Sequence, residues 1–292
     1  MSTTFCPHPL IHVLGLGLDM GTAQGSYSGQ LPEHRQFLDQ VFNPGLPDLD
    51  TFEPEELQGF AALEAGLIND WLDSKGFSIT LEPFTDPDDF GVASVATVAI
   101  EWQESGVTSN IEHEGDSYEG AFLAVAPVVT IADFPNPIGL LSTKDGVVYM
   151  TKWEGSQEKL ELFRLGMQML SGTMTPDHSY EGVIFPMVDH DAEVDVSFMV
   201  DLLFPGIGVT TGRMDTYRLK EAQQQTKFRM NEEGAKVESA AAASFCLECC
   251  FEPTPPLIID GPFLVVIKNH KRQMPDFIGI ITPEDWAHPG NL

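Results

Sequence analysis

From Thr51 onward, apolar residues recur at intervals of three and four (Leu57, Phe60, Leu63, Leu67, Ile68 and Trp71), behind acids and Pro54 that suit a first helical turn. This spacing predicts the clearest helix of the chain. A second helix is expected in LIHVLGLGLDMG (10–21), an apolar run of helical length that follows Cys6 and Pro7 despite Gly15 and Gly17. HRQFLDQVF (34–42) is a short amphipathic piece, and NPGLPDLD (43–50) reads as a loop. GVASVATVAIEW (91–102) is rich in Val, Ala and Thr and carries no charge before Glu101, which predicts a strand buried on both faces.

Further strands are expected in AFLAVAPVVTIA (121–132), GVVYMTKW (146–153) and EGVIFP (181–186), interrupted by a helical pattern in SQEKLELFRLGMQML (156–170). The chain closes with PLIIDGPFLVVIKN (256–269) and DFIGIITP (276–283), two β-rich runs around HKRQMP that read as a hairpin. The mixture is α+β, with no internal repeat and no long low-complexity linker.

Charge narrows the partners. With 44 acids against 15 bases, the formal charge of −29 opposes binding to nucleic acid or to an anionic membrane surface, and favours a basic partner. No apolar run approaches membrane-spanning length, and MSTTFCPHPL lacks the basic-then-apolar order of a secretory signal, so the expectation is a soluble, cytoplasmic protein. Four cysteines, three of them at Cys246, Cys249 and Cys250, do not form a disulfide framework and fit a reducing compartment.

Several local patterns invite chemistry. GLGLDMGTAQG has the glycines of a phosphate loop but neither a preceding strand nor a following Lys-Ser/Thr. VDHDAEVD offers Asp189, His190, Asp191 and Asp195 as ligands, yet lacks EF-hand or zincin spacing and reads better as a solvated acidic turn. Cys246, Cys249 and Cys250 would need Cys6, His8 or His12 to complete a zinc site, and no signature of a cysteine nucleophile surrounds them. An enzyme is therefore not expected, nor is a cofactor or metal.

The stretch NEEGAKVESAAAASFCLECC (231–250) resembles the hinge and reactive-centre loop of the serpins, the serine protease inhibitors. GPFLVVIKNHKRQMPDFIGIITP resembles their C-terminal strand pair. CPHPLIHVLGLGLDMGTAQGSYSGQL is similar to their buried helix, INDWLDSKGFSI to an Ile-Asn-x-Trp helix end, and ATVAIEW to a strand closing on Trp. These matches, in order, cover about half the chain.

The resemblance implies a single serpin-like domain over 1–292, expected to be a monomer, with mixed and antiparallel sheets, a reduced helix set and an exposed loop from about 235 to 256. It also implies a function: suicide inhibition of a protease by acyl-enzyme trapping and loop insertion. Glu248 lies fourteen residues after Gly234 and fourteen before Pro262, as in the ovalbumin-type intracellular serpins directed at granzyme B. By that likeness the reactive bond is Glu248-Cys249, and the hinge comprises Glu232, Glu233, Gly234, Ala235, Val237 and Ser239. The implied partner is an acid-specific, granzyme B-like serine protease, a caspase-like cysteine protease fitting less well.

Physical reading of the loop agrees with insertion. In a strand with Ala235 facing in, Val237, Ser239, Ala241 and Ala243 also face in and are small or moderate, while Lys236 and Glu238 stay in water. A protease accepting Glu248 needs a cation or polar donors in its pocket. Two departures bear on the mechanism. The span 31–68 is short for the helices and strand the family places there, which predicts a sheet trimmed at one side. The family's hydrogen-bonded latch falls on Cys6, Pro9 and Gln224, and Pro9 supplies no hydroxyl. A non-inhibitory serpin-fold protein is the alternative.

Overall fold

The computed structural model describes residues 1–290 apart from 22–25, 98–99, 133, 156, 158 and 236–253. Among the described residues five α-helical segments are formed: α1 (Pro7–Met20), α2 (Pro32–Phe37), α3 (Asn43–Gly45), α4 (Ala65–Ser74) and α5 (Lys159–Ser171). The strands begin with β1 (Thr3–Phe5), β2 (Leu57–Ala62), β3 (Gly91–Ala96), β4 (Ile100–Glu101), β5 (Val107–His113), β6 (Asp116–Leu123) and β7 (Val128–Ile131). They continue with β8 (Ile138–Ser142), β9 (Gly146–Lys152), β10 (Met174–Pro176), β11 (Val183–Pro186), β12 (Val188–Val194) and β13 (Leu203–Ile207). The remainder are β14 (Met214–Arg218), β15 (Gln224–Met230), β16 (Gly234–Ala235), β17 (Leu257–Ile258), β18 (Phe263–Asn269) and β19 (Phe277–Ile281).

A seven-stranded sheet in the order β1-β19-β18-β9-β8-β7-β10 divides the interior. Its C-terminal hairpin, β18 with β19, forms as the sequence predicts. Successive side chains of these strands serve opposite cores: Leu264, Val266, Ile278 and Ile280 join α1 and α5 on one side. Phe263, Val265, Phe277 and Ile281 enter the other core. Period-two alternation with both faces apolar is what a sheet buried on both sides requires. The second core is closed by a four-stranded sheet in the order β17-β11-β6-β5.

Helix α1 forms where expected, started by Pro7 and burying Leu10, Ile11 and Leu14. Gly17 has a packing reason: a Cβ there would lie 2.7 Å from the Tyr27 hydroxyl, which donates to the Leu14 carbonyl.

Three expectations are corrected. The region from Thr51 is not one helix, because Leu57–Ala62 is β2 and the helix begins only at Ala65. The strand wins through tertiary contact, since β2 pairs along its length with β3, and Gly59 lies flat against Leu16 and His12 of α1. Leu63 and Leu67, which completed the apparent helical stripe, are 41% and 50% exposed. Gly91–Ala96 is not a strand buried on both faces, because among the described residues β3 pairs only with β2, and most of its side chains are half-buried. The acidic tract Val188–Val194 is a strand, β12, rather than a turn. Asp189 and Asp191 face Arg229 and Lys227 across the ladder with β15 and bond to them, while His190 points inward to Asp285.

Candidate functional site

Two separate two-stranded sheets border a common cavity. β2 pairs with β3 and β12 with β15, and among the described residues no hydrogen bond joins β3 to β15. Between them lies a cavity of about 690 Å³, floored by Pro9, Leu10 and Val13 of α1 and walled by Ser94 and Gln224. No strand lies outside β2 among the described residues, in keeping with the expected trimming.

The hinge sits at the head of this slot. Chain direction reverses after β15 through a turn in which the Asn231 amide donates to the Gly234 carbonyl at 3.1 Å. Glu233 donates its own amide to Asn231 Oδ1 at 2.9 Å. The turn is anchored from the other side by Trp102, whose indole N–H donates to the Asn231 carbonyl at 3.0 Å, and by Gly106, whose amide donates to the Glu232 carbonyl at 2.7 Å.

Gly234 and Ala235 then form β16, antiparallel to Ile100 and Glu101 of β4. Gly234 has φ +134°, and a Cβ there would stand 2.4 Å from the Ile100 carbonyl oxygen. Only glycine combines that dihedral with so close an approach. Of the residues the resemblance assigns to the hinge, Gly234 and Ala235 thus form a two-residue antiparallel rung on β4.

The predicted latch positions converge beneath the slot. Gln224 Nε2 donates to the Cys6 carbonyl at 2.9 Å, tying β15 to the start of α1. Its Oε1 is buried with no hydrogen-bond partner among the described residues, an acceptor held at the wall of the cavity. Cys6 Sγ lies 3.8 Å from Thr226 Oγ1, and burial pushes the Cys6 thiol up to about 12, against the Thr226 bond and with help from the Asp276 charge. Pro9 contributes apolar surface to the floor, as its missing hydroxyl requires.

On the opposite wall, His12 Nδ1 and Ser94 Oγ share a hydrogen bond of 2.8 Å, and burial holds the His12 imidazole below its usual value. This α1–β3 tie was not foreseen, because the partners stand 82 positions apart.

Of the candidate metal ligands, His8 and His12 are engaged by other partners. His8 is held between Asp48 and Asp276, each at 3.3 Å, and His12 is taken by Ser94. Among the described residues, no group of three or more His, Cys, Asp or Glu side chains is arranged to hold a metal ion. The reactive-bond residues Glu248 and Cys249, the hinge residues Val237 and Ser239, and Cys246 and Cys250 lie outside the described residues.

No protein-family model matches this chain, and no curated protein sequence does. Solved structures do. The mouse protein Z-dependent protease inhibitor matches at 13% identity, with 96% of this chain and 90% of that chain covered and a TM-score of 0.53. A serpin from the trematode Schistosoma haematobium matches at 13% identity, 96% and 93% coverage and a TM-score of 0.57. Human thyroxine-binding globulin, in complex with thyroxine, matches at 10% identity, 96% and 91% coverage and a TM-score of 0.55. The chain thus has the serpin fold, an α+β architecture of several antiparallel sheets and few helices.

Proposed function

We propose that the protein is a single-use inhibitor of a serine protease that cleaves after acidic residues, working in a reducing, intracellular compartment and without enzymatic activity of its own. The observation that carries this reading is the pairing of β16 with β4 beside the cavity between β3 and β15. A strand entering there runs antiparallel to both walls and gives each a backbone partner that it now lacks. The slot's apolar floor accepts the small inward residues of the loop.

In the proposed reaction the protease serine attacks the Glu248 carbonyl, an acyl bond to its Oγ forms, and the peptide bond to Cys249 breaks with a proton delivered to the departing amine. Insertion of the segment after Ala235 then carries the acylated protease away before water completes hydrolysis. The Glu248 side chain selects an enzyme whose primary pocket supplies a cation or polar donors, as granzyme B-like enzymes do, and the charge of −29 favours a basic one.

A panel of acid-specific serine proteases, with a caspase for comparison, tests the reading. A denaturant-resistant complex with one of the serine enzymes is the expected result, together with a large rise in melting temperature once the loop is cut. Clean cleavage with neither complex nor stabilisation would leave the second reading, a non-inhibitory serpin-fold protein with a substrate loop.

A further inference from the structure

The side of β2 turned away from β3 is left open. β2 pairs with β3 in continuous antiparallel register, and just beyond the strand ends the Thr97 amide donates to the Glu56 carbonyl at 2.7 Å. Hydrogen-bonded pairs alternate along such a ladder, so Gln58, Phe60 and Ala62 bond to β3 while Gly59 and Ala61 direct their N–H and C=O groups outward. Among the described residues no strand meets them. Each offers a donor and an acceptor to a further strand.

This edge carries none of the usual protections. Leu57–Ala62 (LQGFAA) holds no charge, no proline and no bulge, the devices that keep an exposed edge from pairing. Apolar surface adjoins it. Phe60 stacks on Trp71 of α4 with ring centroids 5.7 Å apart, which sets the Leu67–Trp71 row of the helix on the β2 side. Leu63, directly after the strand, and Leu67 are both exposed. The surrounding charge is of one sign: between Arg35 and Lys75 the chain carries nine acids and no Lys or Arg, and Glu64 and Asp70 are exposed in sequence next to these leucines.

We infer that the outer edge of β2 is a docking site for an extended, basic segment of a partner protein, which adds as a strand to Gly59 and Ala61. Backbone bonds to the edge supply affinity, alternate apolar side chains of the segment cover Leu63 and Leu67, and the Lys or Arg residues between them answer Glu64 and Asp70. Gly59, exposed and without a side chain, leaves room for the partner's backbone. A second copy of this chain fits poorly, because the same nine acids and a charge of −29 would face themselves. The site is independent of the inhibitor reading and of the cavity.

A short peptide alternating valine and lysine is the probe, offered to the full-length, uncut protein. Its binding should slow hydrogen exchange at the Gly59 and Ala61 amides, weaken with added salt, and be at least about tenfold tighter than that of the same peptide with glutamate in place of lysine. Ala61→Pro removes a donor that β3 does not use and should abolish the added protection at Gly59. Leu67→Ser leaves the backbone alone and should weaken binding about threefold or more. Absence of binding, equal binding of the two peptides, or binding unaffected by both variants overturns the site. So does a bound peptide that protects the amides of β15 rather than those of Gly59 and Ala61. Concentration-dependent dimerisation that Ala61→Pro prevents would give the edge to a second copy and overturn the basic partner.

Discussion

The indole N–H of Trp102 reaches across the head of the slot to the carbonyl of Asn231, 3.0 Å away and 129 residues on in the chain. Both residues are buried, Trp102 also packing edge-on against Phe185. The bond fixes the turn from which the hinge departs. Replacing Trp102 with Phe keeps an aromatic ring but leaves that carbonyl without its donor. A loss of about 1–3 kcal/mol is expected from urea unfolding, with faster exchange of the Gly234 amide. Equal stability with unchanged exchange would show that the turn holds without Trp102.

Gly234 is the hinge residue most exposed to a backbone test. Its φ of +134° and the 2.4 Å approach of the Ile100 oxygen leave no space for a side chain. Gly234→Ala should cost about 1–3 kcal/mol and unseat β16 from β4, because strain and collision act together. The unfolding midpoint and the exchange of the Ala235 amide report these effects separately. A variant as stable as the parent, with β16 still protected, would contradict the assigned dihedral.

Acid stability should depend on Asp48. Burial alone would raise its pKa, but hydrogen bonds from His8 and from the Gln273 and Met274 amides hold the carboxyl below the usual carboxylate value. A lowered folded pKa contributes stability that is complete above the unfolded value and is lost as pH falls through the folded one. Asp276 acts in the opposite sense, since burial raises its pKa despite His8 and Arg272, and its cost is relieved in acid. The parent should therefore lose stability as pH falls below about 4, and Asp48→Asn, destabilised by about 3 kcal/mol at neutral pH, should show a flatter acid limb. Urea midpoints between about pH 6 and pH 2 decide the matter, and parallel curves would remove Asp48 from the account.

Elements set by near neighbours were legible in the chain. Two apolar, β-rich runs, Phe263–Asn269 and Phe277–Ile281, separated by a polar turn, specify the hairpin without reference to anything distant. Pro7 followed by Leu10, Ile11 and Leu14 does the same for α1. The misreading at Leu57–Ala62 shows where this stops. Spacings of three and four were present, yet pairing with β3 and the flat approach of Gly59 to α1 outweighed them.

What the sequence determined by itself is the C-terminal hairpin of β18 and β19, helix α1 behind Pro7, and a glycine at 234 where the backbone takes a positive φ. Tertiary structure alone decided that β3 and β15 stand apart, that His12 meets Ser94 and Gln224 meets Cys6 beneath the gap, and that Ser78 meets Gln225 above it. Dihedral preference and periodicity act over a few residues and are written locally. A slot is the space between segments 82 to 218 positions apart, and its width follows from how whole elements pack, which no short stretch of chain encodes.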